Sequence, residues 1–263
     1  MRNALHRLRA FSLTVVLCAS WLVMPASAQW FNRPAPNIPR GPDGKPNLTA
    51  PVQRGADGKP DISGIWNPTP KYLRNIASDL KPGDVPLQAW ARKLYEERKA
   101  GLHSKEEPDA NCLPQGVPKI DAAPAPYKIV QVPGEIMILY EAFSQFREIF
   151  TDGRELPKDA NPTWLGYSVG KWDGDTLVVE TTGFNGRTWL DQEGHPVTDA
   201  LRVTERFHRK DIGHMELAVT IDDSKAYTHP WTVHESMELM PEGDLLEFDC
   251  NENEKDVRHI EDR

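Results

Sequence analysis

Residues 161–184 read NPTWLGYSVGKWDGDTLVVETTGF and contain two competing structural signals. Gly166–Gly170 fits G-x-S-x-G, the spacing that presents a nucleophilic serine in many hydrolases. Such a serine needs a strand before it, a strained turn around it and a helix behind it. Here Asp173-Gly174 follows between two runs of alternating apolar residues, which is a strong β-hairpin signal. The stretch therefore predicts a hairpin with Ser168 inside its first strand.

The serine-hydrolase alternative has one further argument in its favour. Asp191 and His195 follow Ser168 in the chain order of a catalytic triad carried by an α/β fold. Without a parallel sheet and its helices, that order carries little weight. We therefore interpret the pentapeptide as part of a β-strand.

From Tyr127 onward, short β-rich runs alternate with turn dipeptides such as Pro133-Gly134 and Asp152-Gly153. No helical crossover separates the runs, so an antiparallel meander is predicted rather than a parallel sheet. Nine twisted strands normally close into a barrel or split into a sandwich. We predict a mainly β fold with a calycin-like β-barrel over residues 127–252. The predicted strands are 127–132, 135–143, 145–151, 165–172, 175–182, 201–208, 214–222, 231–239 and 244–250.

The N-terminus carries the signals of export. Residues 1–9 are basic, residues 10–24 form an apolar core, and Ala26 and Ala28 make an A-x-A end. This pattern predicts a secretory signal peptide over residues 1–28, cleaved after Ala28. Its core is shorter than the about 20 residues that a bilayer span needs, and no other stretch is apolar enough. We expect a soluble mature chain in the periplasm or secreted from the cell.

Between the signal peptide and the barrel, the composition predicts two segments. Residues 29–83 are rich in Pro and Gly and repeat an R-G-x-D-G-K-P motif, which predicts an extended arm with Asp-Gly turns. Residues 84–126 contain one amphipathic helix, with apolar residues on one face, and then a loop. The helix is predicted to begin near Pro86, to pack through Leu87, Trp90, Ala91, Leu94 and Tyr95, and to end at Gly101. Residues 253–263 form a charged tail.

Charge and cysteines exclude several function classes. The formal net charge of −8 argues against nucleic-acid binding, which depends on Lys and Arg neutralising phosphates. Cys112 and Cys250 remain after signal cleavage, and in an oxidising compartment they are expected to pair. Metal ligation by the two is the rival interpretation, but no C-x-x-C motif and no nearby histidine support it. No phosphate cradle or dinucleotide fingerprint occurs, so we expect neither metal nor cofactor.

Four predicted strands carry an apolar stripe that is interrupted by one glutamate. If these stripes face inward, their carboxylates must be paired, hydrogen-bonded or protonated, because burying them ionised and unpaired is costly. Carboxyls with raised pKa values in a cavity suit general acid–base catalysis. The alternatives are ion pairs at the barrel mouths beside Arg147, Arg187 or Arg206, or a register slip that turns the stripes to solvent. The four candidates are Glu148, Glu180, Glu205 and Glu235.

Histidines and aromatic residues supply further candidates. His229 and His234 flank Trp231 near Glu235, where they would act as proton carriers or simply lie at the surface or a strand end. Residues 182–191 mix aromatic rings with Arg and Asp, as expected of a loop that closes over a small aromatic ligand or plugs the barrel end. The predicted ligand contacts are Tyr140, Trp172, Phe184, Arg187, Trp189 and Trp231.

Several segments together resemble a group of exported bacterial proteins of unassigned function. They are Pro60–Trp66, Cys112–Pro118, Gly166–Asp191, Thr204–Phe207 and the residues near Cys250, and the resemblance covers roughly residues 60 to 252. It implies export and a shared β fold, and it transfers no catalytic residue. Gly64-Ile65-Trp66 also resembles the G-x-W motif that opens lipocalin barrels, without the eight-strand start or the helix after the last strand.

The sequence leaves three functions open. The leading one is binding of a small, mostly apolar or aromatic ligand in the barrel cavity. The second is a cofactor-independent isomerase, hydratase or lyase that uses a buried Glu with His, Tyr or Arg as general acid and base. The third is an envelope protein that binds a partner through its proline-rich arm.

Overall fold

Nine β-strands close into a barrel in the computed structural model, which describes residues 34–250 and 252. Neighbouring strands follow the chain order, and β1 closes the barrel by pairing with both β2 and β9. The predicted mainly β barrel is confirmed. The strands are β1 Gly64–Pro68, β2 Tyr127–Val132, β3 Glu135–Tyr140, β4 Phe146–Phe150, β5 Tyr167–Asp173, β6 Thr176–Thr182, β7 Arg202–Arg209, β8 His214–Asp222 and β9 Trp231–Leu239.

The hairpin predicted from residues 161–184 is present as β5 and β6. The two strands pair antiparallel from Tyr167↔Thr182 to Asp173↔Thr176, and Gly174 takes the positive φ of 60° that the turn requires. Ser168 lies within β5, and the next element is a strand rather than a helix. The nucleophile-elbow alternative is therefore excluded.

One junction departs from the predicted antiparallel meander. Strands β4 and β5 run parallel and are paired only at Ile149↔Ser168 and Phe150↔Val169. The Asp152-Gly153 turn does not start a hairpin, because the residues after it, 154–162, are mostly polar and include two prolines. Strand β5 instead starts beside the last residues of β4 and runs in the same direction.

The ninth strand is not the one predicted. Residues 244–250 form no strand, and the barrel is closed by β1 from the predicted arm, so the range 127–252 omitted one strand. Trp66 of β1 is fully buried and donates its indole N–H to the carbonyl of Ile62 at 3.0 Å. Residues 244–250 run along the outside, held by the confirmed disulfide Cys112–Cys250 with a Cα–Cα distance of 5.5 Å.

The arm over residues 34–62 is docked on the barrel, and its repeat forms the same turn twice. Asp43 and Asp57 each accept a hydrogen bond from the backbone N–H two residues later, at 3.1 and 3.0 Å. Arg54 ties the second turn to Asp175, at the β5–β6 turn, at 2.6 Å. The predicted Asp-Gly turns are therefore present.

Two α-helices lie between β1 and β2: α1 Lys71–Arg74 and α2 Ala89–Lys99. Helix α2 begins after Pro86 because Leu87 is held in a β-bridge to Tyr227. Ala91 packs in the core as predicted, but Trp90 is 46% exposed and donates its indole N–H to the carbonyl of Lys225. The helices within residues 34–250 are too short or too polar to cross a membrane. The predicted signal peptide and the tail over residues 253–263 lie outside the described residues.

Candidate functional site

A group of buried polar side chains, here called the interior cluster, lies among the apolar residues of the barrel core. Its centre is the guanidinium of Arg147 on β4, which alternation along the strand turns inward together with Ile149. All of its members are almost fully excluded from solvent. The cluster consists of Asp121, Tyr140, Arg147, Ser168, Thr181, Glu205 and Glu235.

The guanidinium of Arg147 donates hydrogen bonds to side chains on three other strands, β5, β6 and β7. Its Nη1 donates to Oε1 of Glu205 at 3.0 Å, and its Nη2 donates to Oε2 of the same carboxylate. Its Nε donates to Ser168 at 3.0 Å and its Nη2 to Thr181 at 2.8 Å. Burial alone lowers the pKa of the guanidinium, but the Glu205 carboxylate outweighs it and raises the pKa of Arg147. The pair is charged and nearly all guanidinium donors are used.

Asp121 enters the cluster from a 3-10 turn, Lys119–Ala122, rather than from a strand. Its Oδ1 accepts a hydrogen bond from the hydroxyl of Tyr140 at 2.6 Å, and its Oδ2 lies 3.8 Å from Nη1 of Arg147. Burial and the neighbouring Glu205 carboxylate raise the pKa of Asp121 to about 7. A carboxyl in this state is ready to gain or lose a proton near neutral pH.

Glu235 of β9 is the third interior carboxyl. It is 5% exposed, and its Oε1 is buried without a hydrogen-bond partner among the residues that the structure describes. Burial, followed by the charges of Asp121 and Glu205, raises the pKa of Glu235 well above its ordinary value. The interior cluster thus has three carboxyls and one guanidinium.

A surface cleft opens where β4 and β5 diverge, and its base reaches the interior cluster. Because pairing begins only at Ile149, the first three residues of β4 have no partner in β5. The cleft has a volume of about 560 Å³, and Arg147 and Ser168 are among the residues that line it. The aromatic side chains along the cleft are Phe143, Phe146, Phe150, Trp164 and Tyr167.

The rim of this cleft is held by ring and cation contacts. Phe150 and Tyr167 lie 5.3 Å apart between ring centroids, and the guanidinium of Arg154 covers the Phe150 ring at 3.8 Å. Arg187 covers the ring of Trp164 at 5.3 Å. Phe146 is 65% exposed, so the cleft presents an aromatic surface to solvent.

The four predicted glutamates divide between the two faces of the barrel. Glu205 and Glu235 are buried and face inward as predicted, and their catalytic role stays a prediction. Glu148 is exposed and Glu180 is half-buried on the outer face, so their predicted inward orientation is wrong. In β4 the inward positions belong to Arg147 and Ile149, and in β6 to Leu177, Val179 and Thr181, which moves each glutamate to the opposite side.

The two predicted proton-carrying histidines are on the outside. His234 is exposed because it precedes the inward Glu235 on β9, and successive side chains of a strand face opposite sides. His229 is exposed in the loop before β9, with its Nδ1 2.9 Å from the carbonyl of Pro230. Both histidines are thus at the surface, where His234 and Glu235 line the same cavity of about 610 Å³, and their role as proton carriers stays a prediction.

The six predicted ligand contacts do not converge on one cavity. Tyr140, Phe184, Trp189 and Trp231 are buried in the core, and Trp172 packs partly against it. Arg187 is exposed and lies beside the cleft over Trp164. Their contact with a ligand stays a prediction. Of the six, Arg187 lies beside the cleft.

Asp191 and His195 do form a buried pair, with Oδ2 and Nδ1 2.5 Å apart. The same carboxylate accepts hydrogen bonds from the backbone N–H of Ile76 and of Gly194, at 2.9 and 2.8 Å. The hydrogen bonds of Ser168 go to Arg147 and Thr181 instead. The pair therefore holds its loop in place and is not joined to the serine.

Sequence reasoning missed Asp121 and named Arg147 only as an ion-pair partner at a barrel mouth. No periodicity surrounds Asp121, because it lies in a short turn between prolines. Arg147 carried a usable signal. It alternates with Ile149, so placing Ile149 inward places Arg147 inward as well.

Comparison with known proteins adds no assignment. No family model, no curated protein and no solved structure matches the chain. The resemblance to exported bacterial proteins stays a prediction, and the site rests on its own geometry.

Proposed function

We propose that the protein binds a small, mostly apolar or aromatic ligand in the cleft between β4 and β5. The observation that carries this proposal is the aromatic lining of a cleft of about 560 Å³ whose base is polar. Ligand sites are commonly concave and mostly apolar, with a few polar groups that orient the ligand. We further propose export to an oxidising compartment, which the disulfide Cys112–Cys250 supports.

The cleft is favoured over the barrel lumen because the lumen is occupied by side chains. Trp66, Tyr127 and Phe207 are each at most 1% exposed and fill the core with the inward aliphatic residues. The proposal therefore keeps the ligand class expected from the sequence and moves its location to the side of the barrel.

The polar base has one hydrogen available for a ligand. Ser168 and Thr181 each accept a hydrogen bond from Arg147, and the two hydroxyls are 3.0 Å apart. One hydroxyl therefore donates to the other, which leaves one O–H without an acceptor in this trio. When Thr181 is the donor, the free hydrogen is that of Ser168, which lines the cleft, so a ligand with a carbonyl or similar acceptor fits the site.

Titration calorimetry with indole and benzamide as probes tests the cleft. Phe146→Ala is expected to lower the affinity for both probes by about two- to tenfold, because an aromatic contact contributes about 0.5–1.5 kcal/mol. Val132→Ala removes an exposed apolar side chain that does not line the cleft and is expected to leave binding unchanged. Equal affinities for the wild type and Phe146→Ala would rule the cleft out.

The two probes also test the polar base. Ser168→Ala is expected to weaken the binding of benzamide, which carries a hydrogen-bond acceptor. The binding of indole, which carries only a donor, is expected to stay unchanged. The ratio of the two affinities within one variant is independent of any loss of stability. An unchanged ratio would contradict the role of Ser168.

Acid–base catalysis is the second candidate, and Asp121 is the observation that favours it. Its carboxyl has a pKa of about 7 and contacts Arg147, which lines the cleft. The reaction would be a proton transfer on a bound carbonyl compound, as in isomerisation or elimination. Deuterium exchange into phenylacetone in D₂O, followed by NMR, is expected to be lost in Asp121→Asn and retained in the exposed control Asp199→Asn.

A further inference from the structure

The interior cluster contains more acidic groups than positive charge to balance them. Asp121 and Glu205 are fully buried, Glu235 is 5% exposed, and Arg147 is 3% exposed. They come from four separate elements, namely the turn Lys119–Ala122 and strands β7, β9 and β4. The fold therefore brings three carboxyls and one guanidinium into a region that is almost fully excluded from solvent.

The single guanidinium is taken up by one of the three carboxyls. Arg147 donates to both oxygens of Glu205, and its other donors go to Ser168 and Thr181. Asp121 is 3.8 Å from the guanidinium, which is beyond a hydrogen bond. Glu205 and Arg147 thus form the ionised pair.

The two remaining carboxyls each keep one oxygen without a partner. Oδ2 of Asp121 and Oε1 of Glu235 are buried and accept no hydrogen bond from the part of the chain that the structure describes. The groups acting on them are each other, the Arg147–Glu205 pair and the phenols of Tyr127 and Tyr140. Burial raises the pKa of both phenols, so neither adds charge at neutral pH.

An ionised carboxylate in such surroundings is far more costly than a protonated one. We propose that between pH 5 and 7 the folded protein holds protons in its interior cluster on both Asp121 and Glu235, and that the unfolded chain releases them. The interior cluster is then a proton-binding site. Since Arg147 also lines the cleft, deprotonation of Asp121 gives this guanidinium a second carboxylate to balance.

The sign of the pH dependence follows from the pKa shifts. The pKa of Asp121 is raised to about 7 and that of Glu235 lies well above its ordinary value, whereas both are near 4 in an unfolded chain. Between these limits the folded state binds more protons than the unfolded state. The contribution of these groups to stability is therefore full at acidic pH; that of Asp121 is lost as the pH rises through about 7, and that of Glu235 as the pH rises through its own raised pKa.

Urea unfolding between pH 5 and 7 measures the proton difference without any ligand. With each pH unit, the unfolding constant of the wild type is expected to rise by a factor about ten times larger than that of Glu235→Gln. The reason is that the variant releases one proton fewer on unfolding. Asp121→Asn is expected to show a reduced rise of the same kind, concentrated below pH 7. Glu238→Gln changes an exposed carboxyl on the same strand and is expected to match the wild type.

Infrared spectroscopy of the folded protein gives a direct second readout. A carbonyl band of protonated carboxylic acid is expected at pH 6, weakened in Glu235→Gln and retained in Glu238→Gln. An absent band, or a wild-type pH slope in Glu235→Gln, would overturn the proposal. These two measurements decide it even if Asp121→Asn does not fold.

Discussion

Arg147 donates to both carboxylate oxygens of Glu205 and so joins β4 to β7 across the barrel interior. The two strands are separated by β5 and β6 in the sheet, so no backbone ladder connects them. The ion pair is thus a cross-barrel link that the strand pairing alone does not supply. Its loss leaves an uncompensated charge in a region without solvent.

Arg147→Met is therefore expected to destabilise the fold by about 3–5 kcal/mol, the usual cost of removing one partner of a buried pair. Arg206→Met breaks the exposed pair with Asp173 and is expected to cost at most about 1 kcal/mol. Chemical denaturation of both variants at pH 7 provides the comparison. A similar loss in the two variants would show that burial does not set the energy of the Arg147 pair.

The cleft depends on a glycine that approaches β6 closely. Gly166 has a φ of +70°, and a Cβ there would lie 2.7 Å from Thr181 and 2.8 Å from the carbonyl of Thr182. Gly174 has a similar φ of +60° but open space around it. Gly174→Ala is expected to cost about 1 kcal/mol from backbone strain, and Gly166→Ala clearly more. Equal thermal shifts for the two variants would contradict the predicted clash.

The disulfide fastens the C-terminal segment to the rest of the protein. Residues 244–250 follow the last strand and form no strand of their own, and Phe248 contacts Phe143 beside the cleft. Cys112→Ser is expected to cost about 2–5 kcal/mol and to expose this segment to proteases before the barrel is cut. Limited proteolysis with mass spectrometry checks the order of cleavage. First cuts inside β7–β9 would contradict the prediction.

Ser168 is expected to be unreactive despite its G-x-S-x-G setting. It is buried, and its hydroxyl is bonded to Arg147 and Thr181 rather than to a histidine. A fluorophosphonate probe is therefore expected to leave the folded protein unlabelled, with the Ser168→Ala variant as a reference. Stoichiometric labelling that Ser168→Ala abolishes would restore the hydrolase hypothesis.

The placement of the glutamates shows which sequence patterns carry information. Glu205 and Glu235 lie on long strands whose alternation extends over eight and nine residues, so their inward face is predicted correctly. Strand β4 has only five residues, and Phe146 and Phe150 on its outer face give the same alternating apolar pattern as a buried face. Both rings line the proposed ligand cleft on the outside of the barrel. The apolar outer face of β4 was therefore mistaken for its inner face, and Glu148 was predicted to point inward.

The sequence alone determined the β-rich class, the β5–β6 hairpin and the cysteine pair, because alternation, turn chemistry and two leftover thiols are local or countable properties. The tertiary structure decided that β1 closes the barrel, that β4 runs parallel to β5, and that Asp121 reaches Arg147. These features depend on which distant segments bury each other's surfaces and charges. Such a choice is made by the whole chain at once, and no window of residues contains it.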